Sequence, residues 1–216
     1  QKMPYLIKLI KKTFRMAHPA ERRVVMGNVA SLTSLQAITY VLPVIIMPYL
    51  FRIIGPEKFG LIAFAQAFVQ YFAIITDYGF GISATKEISL CREERRKVSC
   101  VFSSVITVKI LLAVLSLLAL GLLVYFVPKF RRDWPVYLLS FGAVAGNTLF
   151  PVWFFQGTEK MRHIADLNIL AGVILALLIF TCVKTPQDYL LVPLINSGVM
   201  MITGVLGLYI VFRKFG

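Results

Sequence analysis

Residues 110–128 read "ILLAVLSLLALGLLVYFVP" and contain no Asp, Glu, Lys or Arg. An α-helix needs about 20 consecutive, mainly apolar residues to cross the hydrocarbon core of a bilayer. A segment of this length and composition therefore predicts a helix that spans a membrane. A buried helix of a soluble protein is the alternative for any single segment of this kind, and the rest of the sequence decides between the two.

Five further runs without a charged residue occur in the chain, at 24–51, 59–76, 134–158, 167–183 and 189–212. Of the 216 residues, 58% are hydrophobic and 15% are charged, whereas about 25% are charged in a typical soluble domain. Six such runs would leave a soluble protein almost no polar face. The sequence therefore predicts an all-α membrane protein with six transmembrane helices, at about 26–51, 60–82, 101–127, 134–156, 164–183 and 189–212.

The connections between these helices are short, so no folded soluble domain fits between them. We expect one six-helix transmembrane domain at 26–216, preceded by a basic segment at 1–25. The first 20 residues place lysines on one helical face and apolar residues largely elsewhere, a pattern suited to a membrane surface. A disordered basic leader is the other interpretation of this segment.

The net charge of +13 is distributed unevenly along the chain. In the six-helix topology, 16 of the 23 Lys and Arg residues fall in the two terminal segments and in the second and fourth loops. Six fall in the remaining loops, and Lys109 alone lies within a helix. The positive-inside rule then predicts that both termini lie in the cytoplasm. The basic residues indicate attraction to anionic membrane lipid and do not indicate a nucleic-acid partner.

The second predicted helix carries a polar stripe. Gln70 follows Gln66 by four residues, and Asp77 follows Gln70 by seven. At about 100° per residue, the three side chains therefore lie on one face of the helix. A polar stripe is costly against lipid, so this face should point toward other helices or a water-filled cavity. Hydrogen bonding of the two glutamines to neighbouring helices is the purely structural interpretation.

Three other polar residues stand near or within predicted helices. Lys109 either extends to the membrane surface or faces the interior, where Asp77 is one candidate partner. Asn147 lies within the fourth helix. Asp166 follows the start of the fifth helix, where an acid is favoured by the helix dipole.

Prolines predict bends in two of the helices. Pro43 and Pro48 lie within the first helix and Pro151 within the fourth, and each removes a backbone hydrogen bond from the helix. The aromatic residues of segment 153–155 follow Pro151, and we expect them to form an aromatic band at the membrane interface.

Patterns typical of enzymes are absent from the sequence. The two histidines, His18 and His163, are far apart, and no HExxH, CxxC, GxSxG or P-loop pattern occurs. No pair of carboxylates lies at helical spacing within one predicted membrane segment. The sequence predicts no enzyme activity, no cofactor and no metal site.

Several separated stretches closely resemble the bacterial O-antigen and polysaccharide repeat-unit flippases, the polysaccharide-transporter family of the multidrug/oligosaccharidyl-lipid/polysaccharide flippase superfamily. The resemblance covers about residues 27–216. It is carried, in chain order, by "LPVIIMPYLFRIIGPEKFGLIAFAQAFVQYFAIITDYGFGISATKEIS", "FSSVITVKILL", "LLVYFVPKFRRDWPVYLLSFG", "LFPVWFFQGTEKM" and "PQDYLLVPLINS".

The resemblance implies a carrier that moves undecaprenyl-diphosphate-linked oligosaccharide units across the bacterial inner membrane. Such carriers work by alternating access, with the sugars in a polar, often cationic cavity between two six-helix lobes and with the lipid tail expected to stay in the bilayer. Members have about twelve or more membrane helices, so this chain is expected to be the N-terminal lobe alone. Its expected partners are the lipid-linked oligosaccharide, membrane lipid, and a second lobe on another chain or a second copy of this one.

With this function, the polar residues acquire candidate roles. The candidates for substrate contact in the cavity are Arg52, Gln66, Gln70, Lys109 and Asn147. Asp77, Lys86, Glu87 and Asp166 are the candidates for an inward gate or for coupling to an ion. In this hypothesis Asp77 pairs with Lys86, with Lys109 or with a coupling ion. A static ion pair for Asp77 and an interfacial anchor for Arg52 are the structural alternatives.

Two other functions remain open at this point. A multidrug or organic-cation antiporter of the same superfamily is one, although a cation carrier is expected to have a more acidic cavity than this sequence offers. The other is a truncated, inactive remnant of a flippase.

Overall fold

The computed structural model describes residues 19–215, with side chains described from residue 41 to residue 213. Every regular element in this range is a helix, which confirms the all-α prediction. Most of the predicted basic segment lies outside the described residues. The elements are α1 (Pro19–Asp77), α2 (Phe80–Cys91), α3 (Arg95–Phe126), α4 (Pro128–Arg132), α5 (Trp134–Leu149), α6 (Val152–Gly157), α7 (Met161–Cys182), a 3-10 helix (Pro186–Leu190) and α8 (Leu191–Phe215).

Five stretches of the described residues are long and apolar enough to cross a membrane. The chain is therefore a multi-pass membrane protein. The first stretch contains residues 41–51 of predicted helix 1 and all of predicted helix 2, and the other four correspond to predicted helices 3 to 6. They are Val41–Cys91, Arg95–Phe126, Trp134–Gly157, Met161–Cys182 and Pro186–Arg213.

Helix α1 is interrupted at a single residue, Gly55, whose φ of 79° and ψ of 163° are not helical. Glycine has no Cβ and adopts positive φ without strain. The residue before a proline is also driven out of the helical region by the proline ring, and Pro56 follows Gly55. The predicted bounds left a short connection at 52–59 between the first two helices, and in the structure only Gly55 of that segment has a non-helical conformation.

The two arms of α1 fold back on each other at this break. The rings of Phe51 and Phe59 lie 5.8 Å apart, and Pro43 and Gln66 line the same cavity. In a straight helix, 23 residues would separate that second pair by about 35 Å. The first stretch therefore contains a helical hairpin with its turn at Gly55.

Two helices end earlier than the sequence predicted. The second arm of α1 stops at Asp77, because Tyr78 (φ 39°) and Gly79 (φ 79°) adopt left-handed conformations before α2 begins. The fourth predicted helix is divided at Phe150 and Pro151 into α5 and α6. Since a proline has no N–H to donate, the helix cannot continue through this point without losing a hydrogen bond.

The break at Pro151 directs an aromatic segment into the protein. Trp153, Phe154 and Phe155 are at most 1% exposed, and the ring of Phe102 in α3 lies 5.5 Å from Trp153 and 5.3 Å from Phe154. The predicted interfacial aromatic band at this position is therefore wrong. The segment forms the centre of a hydrophobic cluster that joins α2, α3, α6, α7 and α8.

Helices α5 and α8 approach each other closely through glycines. A Cβ atom added to Gly204 would lie 2.5 Å from the carbonyl oxygen of Gly146, and one added to Gly142 would lie 2.7 Å from the Cβ of Ser197. The Ser197 hydroxyl donates a hydrogen bond across the same contact to the carbonyl oxygen of Leu139. Small residues at such a contact permit the close backbone packing that stabilises helix pairs in membranes.

Candidate functional site: an amide cavity in the membrane domain

A cavity of about 310 Å³ lies between the second arm of α1, α5 and α8. Apolar residues of the three helices form part of its wall. Its polar side chains are three exposed amides, one half-buried amide and one buried hydroxyl. We call it the amide cavity, and these residues are Gln66, Gln70, Asn147, Asn196 and Ser140.

Helical spacing explains why these side chains meet. In α1, Gln70 and Ala73 lie four and seven residues after Gln66. In α5, Val144 and Asn147 lie four and seven residues after Ser140. Asn196 and Met200 are four residues apart in α8. Residues at such intervals share one face of a helix. Three helices thus present one face each to the same space.

Three residues that the sequence predicted for a cavity are brought together here, namely Gln66, Gln70 and Asn147. Sequence reasoning missed Asn196 and Ser140. Asn196 carried a usable signal, because an amide within the uncharged run 189–212 is costly against lipid. Ser140 carried none, since serine is common wherever membrane helices pack together.

The described residues around the amide cavity are all uncharged. An amide side chain both donates and accepts hydrogen bonds, and so does a hydroxyl. The Oγ atom of Ser140 is buried and makes no hydrogen bond within the described part of the chain. A buried polar atom without a partner is costly, so this group is available to a bound molecule or water. The cavity therefore suits a ligand rich in hydroxyl groups.

An ion pair lies farther along the same arm of α1. The Nζ atom of Lys109 is 3.1 Å from Oδ1 of Asp77. The Lys109 side chain is 3% exposed and that of Asp77 is 45% exposed. Asp77 is 11 residues beyond Gln66, which is about 16 Å along a helix.

This pair resolves two alternatives from the sequence. Lys109 points inward and not to the membrane surface, since its side chain is almost completely buried. Of the two lysines considered for Asp77, Lys109 pairs with it and Lys86 is exposed. Lys109 is not among the residues that line the amide cavity, so the structure separates it from the three predicted amides.

The remaining predicted residues lie apart from the cavity. Arg52 is exposed on the first arm of α1, close to the break at Gly55. Lys86 and Glu87 are exposed on α2, where their backbone carbonyls accept hydrogen bonds from Ser89 and Cys91.

Asp166 is exposed on α7, with Oδ2 4.0 Å from Nε of Arg162. Because α7 begins at Met161, Asp166 lies beyond the first turn, and its expected place in that turn is wrong. Within the described residues, no three His, Cys, Asp or Glu side chains converge as metal ligands would.

The sequence has recognisable relatives. The profile of a family described as "Polysaccharide biosynthesis protein" matches residues 25–216. The chain is 34% identical over 187 residues to a "Putative O-antigen transporter" of Escherichia coli (strain K12), an alignment that covers 87% of this chain and 45% of that protein.

A second relative, with the same description, comes from Shigella dysenteriae. It is 30% identical over 188 residues, with 87% of this chain and 47% of that protein covered. The chain therefore spans about half the length of the curated relatives it matches. No solved structure matches it.

Proposed function

The chain belongs to the polysaccharide biosynthesis protein family, and from this premise we propose that it takes part in moving lipid-linked polysaccharide repeat units across a bacterial inner membrane. The substrate class is an undecaprenyl-diphosphate-linked oligosaccharide, with O-antigen units as the case suggested by the two relatives. In this proposal the protein is a carrier and catalyses no covalent step.

The observation that carries the proposal is the uncharged amide cavity within a membrane domain. Sugars present many hydroxyl groups, and amide side chains can donate to and accept from each of them. An organic-cation carrier would instead require carboxylates facing its substrate. The described lining of the cavity contains none, which favours the sugar carrier over the antiporter.

We further propose that residues 26–216 form one six-helix lobe of a two-lobed, alternating-access transporter. The fold-back of α1 at Gly55 supports this count, because the two arms supply two crossings where a straight helix would supply one. A second lobe, on another polypeptide or in a second copy, would close the open side of the amide cavity. The uneven distribution of Lys and Arg supports cytoplasmic termini.

We assign the pair of Asp77 and Lys109 to the inward gate of this lobe. The pair lies about 16 Å along the helix from Gln66, where α1 ends in a left-handed turn at Tyr78 and Gly79. Lys86 and Glu87 lie just beyond this turn, and with Asp166 they are the remaining gate candidates. Arg52 lies at the opposite end of the arm pair, where a cation would meet the diphosphate of a departing substrate.

The test is complementation in bacteria that lack their own repeat-unit flippase but keep a matching polysaccharide pathway. One strain carries the chain alone, and a second also carries the C-terminal half of the Escherichia coli relative. Membrane insertion is verified first by fractionation, and surface polysaccharide is then quantified. A chain with Gln70→Leu and Asn147→Leu serves as the matched control, because it keeps the helices and removes two amides from the cavity.

Recovery of surface polysaccharide in either strain, lost in the double variant, is the expected result. Recovery in the first strain would mean that this chain forms the whole transporter by self-association. Recovery only in the second would mean that it needs a separate second lobe. Absence of recovery in both, despite normal insertion, would contradict the proposed function.

A further inference from the structure

A second cavity of about 220 Å³ adjoins the amide cavity and differs from it in chemistry. We call it the apolar slot. Its wall is formed by both arms of α1 together with α7 and α8, and it is aliphatic and aromatic except at one edge. The residues used in the argument are Leu50, Ile54, Phe59, Ile62, Leu175 and Ile179.

The two cavities share two lining residues, Gln66 and Asn196. Along the second arm of α1 the apolar slot therefore comes first and is followed by the shared boundary at Gln66. The amide cavity comes next, and the ion pair of Asp77 comes last. A molecule that occupied both cavities would place a hydrocarbon part near the Gly55 turn and a hydroxyl-rich part beyond Gln66. This is the order of a lipid-linked sugar, whose diphosphate would lie between the two parts, against the amide donors of Gln66 and Asn196.

The slot also has an open side. Met47 is 57% exposed and Pro43 is exposed, and both lie on the slot's rim in the first arm of α1. An open apolar side of this kind would let a lipid chain pass sideways between the slot and the surrounding hydrocarbon. The slot is smaller than the ~300–1,000 Å³ of pockets that enclose whole drug-sized ligands, so it would hold only a segment of a long chain.

We propose that the apolar slot holds the first isoprene units of the substrate's polyprenyl chain while its sugars occupy the amide cavity. This inference rests on the proposed function, since it assigns a place to the lipid part of that substrate. Part of the recognition is then hydrophobic packing inside the protein and not free dissolution of the chain in the bilayer. Van der Waals packing, which drives helix association in membranes, is the corresponding source of affinity.

The test uses the 216-residue chain in lipid nanodiscs with a photoreactive group on the second isoprene unit of a polyprenyl-diphosphate disaccharide. Crosslinks are mapped by mass spectrometry, and affinity is measured by competition with the unlabelled compound. Ala63→Trp fills the slot from its lining. Ala119→Trp is the control, because Ala119 is exposed on α3 and lines neither cavity.

We expect wild-type crosslinks in segments 43–63 and 175–179. Ala63→Trp should weaken binding of the lipid-linked disaccharide by about fivefold or more, since it removes packing contacts, and Ala119→Trp should not. Binding of the water-soluble disaccharide phosphate should be the same in all three proteins. A phosphatidylglycerol with the same photoreactive group should label the slot much less.

The possible results distinguish a failure of the slot assignment from a failure of the proposed function. Equal labelling by phosphatidylglycerol would mean that the slot is an ordinary bilayer contact and would overturn the inference. Normal binding by Ala63→Trp, with crosslinks elsewhere, would overturn it as well while leaving the proposed function intact. Failure of the wild-type chain to bind either sugar compound would count against the proposed function itself.

Discussion

Lys109 and Asp77 form an ion pair in which the cation is buried and the anion is half exposed: Nζ lies 3.1 Å from Oδ1, with side-chain exposures of 3% and 45%. The two residues are 32 positions apart in the sequence, so the contact joins α3 to the end of α1. The unequal burial means that the two partners depend on each other to different degrees. Loss of the partner would therefore cost the buried ammonium of Lys109 more free energy than it would cost the half-exposed carboxylate of Asp77.

We expect Asp77→Ala to destabilise the protein more than Lys109→Met. Removing one partner of a buried ion pair costs about 3–5 kcal/mol when it leaves an uncompensated buried charge, and only Asp77→Ala does that. Thermal unfolding in detergent measures the difference. The control, Lys97→Met, breaks an exposed pair with Glu94, which should matter little. Equal effects of the two main variants would contradict the asymmetry.

The gate assignment predicts a different result for Asp77→Asn. The side-chain oxygen of asparagine can still accept a hydrogen bond from Lys109, so Asp77→Asn should lose less folded protein than Asp77→Ala does. The ionic attraction is lost, so transport in the complemented strain should fall. Parallel loss of folded protein and transport would show that the pair has only a structural role.

Ser140→Ala should leave stability unchanged or slightly raised while it lowers transport. The Oγ atom of Ser140 makes no hydrogen bond within the described residues, so its removal costs no internal contact and relieves a desolvated group. Ser197→Ala is the matched control, because that hydroxyl does bond to Leu139. It should lower the free energy of unfolding by about 0.5–1.5 kcal/mol. Destabilisation by Ser140→Ala would show that the hydroxyl has a partner within the fold.

Asn147→Leu should reduce transport without reducing membrane insertion. The change removes one amide from the cavity and replaces it with a side chain that suits a membrane helix. Asn168→Leu is the comparison, since Asn168 is exposed on α7 and does not line the amide cavity. Surface polysaccharide at equal protein level is the measurement. Similar values for the two variants would argue against a sugar site at Asn147.

Gly204→Ala should destabilise the protein, whereas Gly198→Ala should not. The Cβ of an alanine at 204 would meet the Gly146 carbonyl oxygen at 2.5 Å, but at 198 no atom lies within 4 Å. Alanine also favours a helix interior over glycine by about 1 kcal/mol, so Gly198→Ala should be neutral or stabilising. Unfolding temperatures in detergent test this pair of variants. An unchanged unfolding temperature for Gly204→Ala would mean that α5 and α8 can move apart at this contact without loss of stability.

The sequence allowed the helices and three of the five polar residues of the amide cavity to be predicted, because amides and uncharged runs in an apolar chain carry strong energetic constraints. Gln66, Gln70 and Asn147 were identifiable for that reason. The choice of Lys109 over Lys86 as the partner of Asp77 was not, since it depends on how α3 packs against α1. The burial of Trp153 was missed because the break at Pro151 changes the direction of the chain.

The turn at Gly55 constrains how this protein is made. Two helices that are joined by a long, flexible connector can separate in the bilayer before they pack. Here the residues after Gly55 are already helical, so almost no connector exists. We therefore expect the two arms of α1 to leave the translocation channel together, as a preformed pair with Arg52, Glu57 and Lys58 at its tip. The earliest folding step of this domain would then precede its contact with lipid.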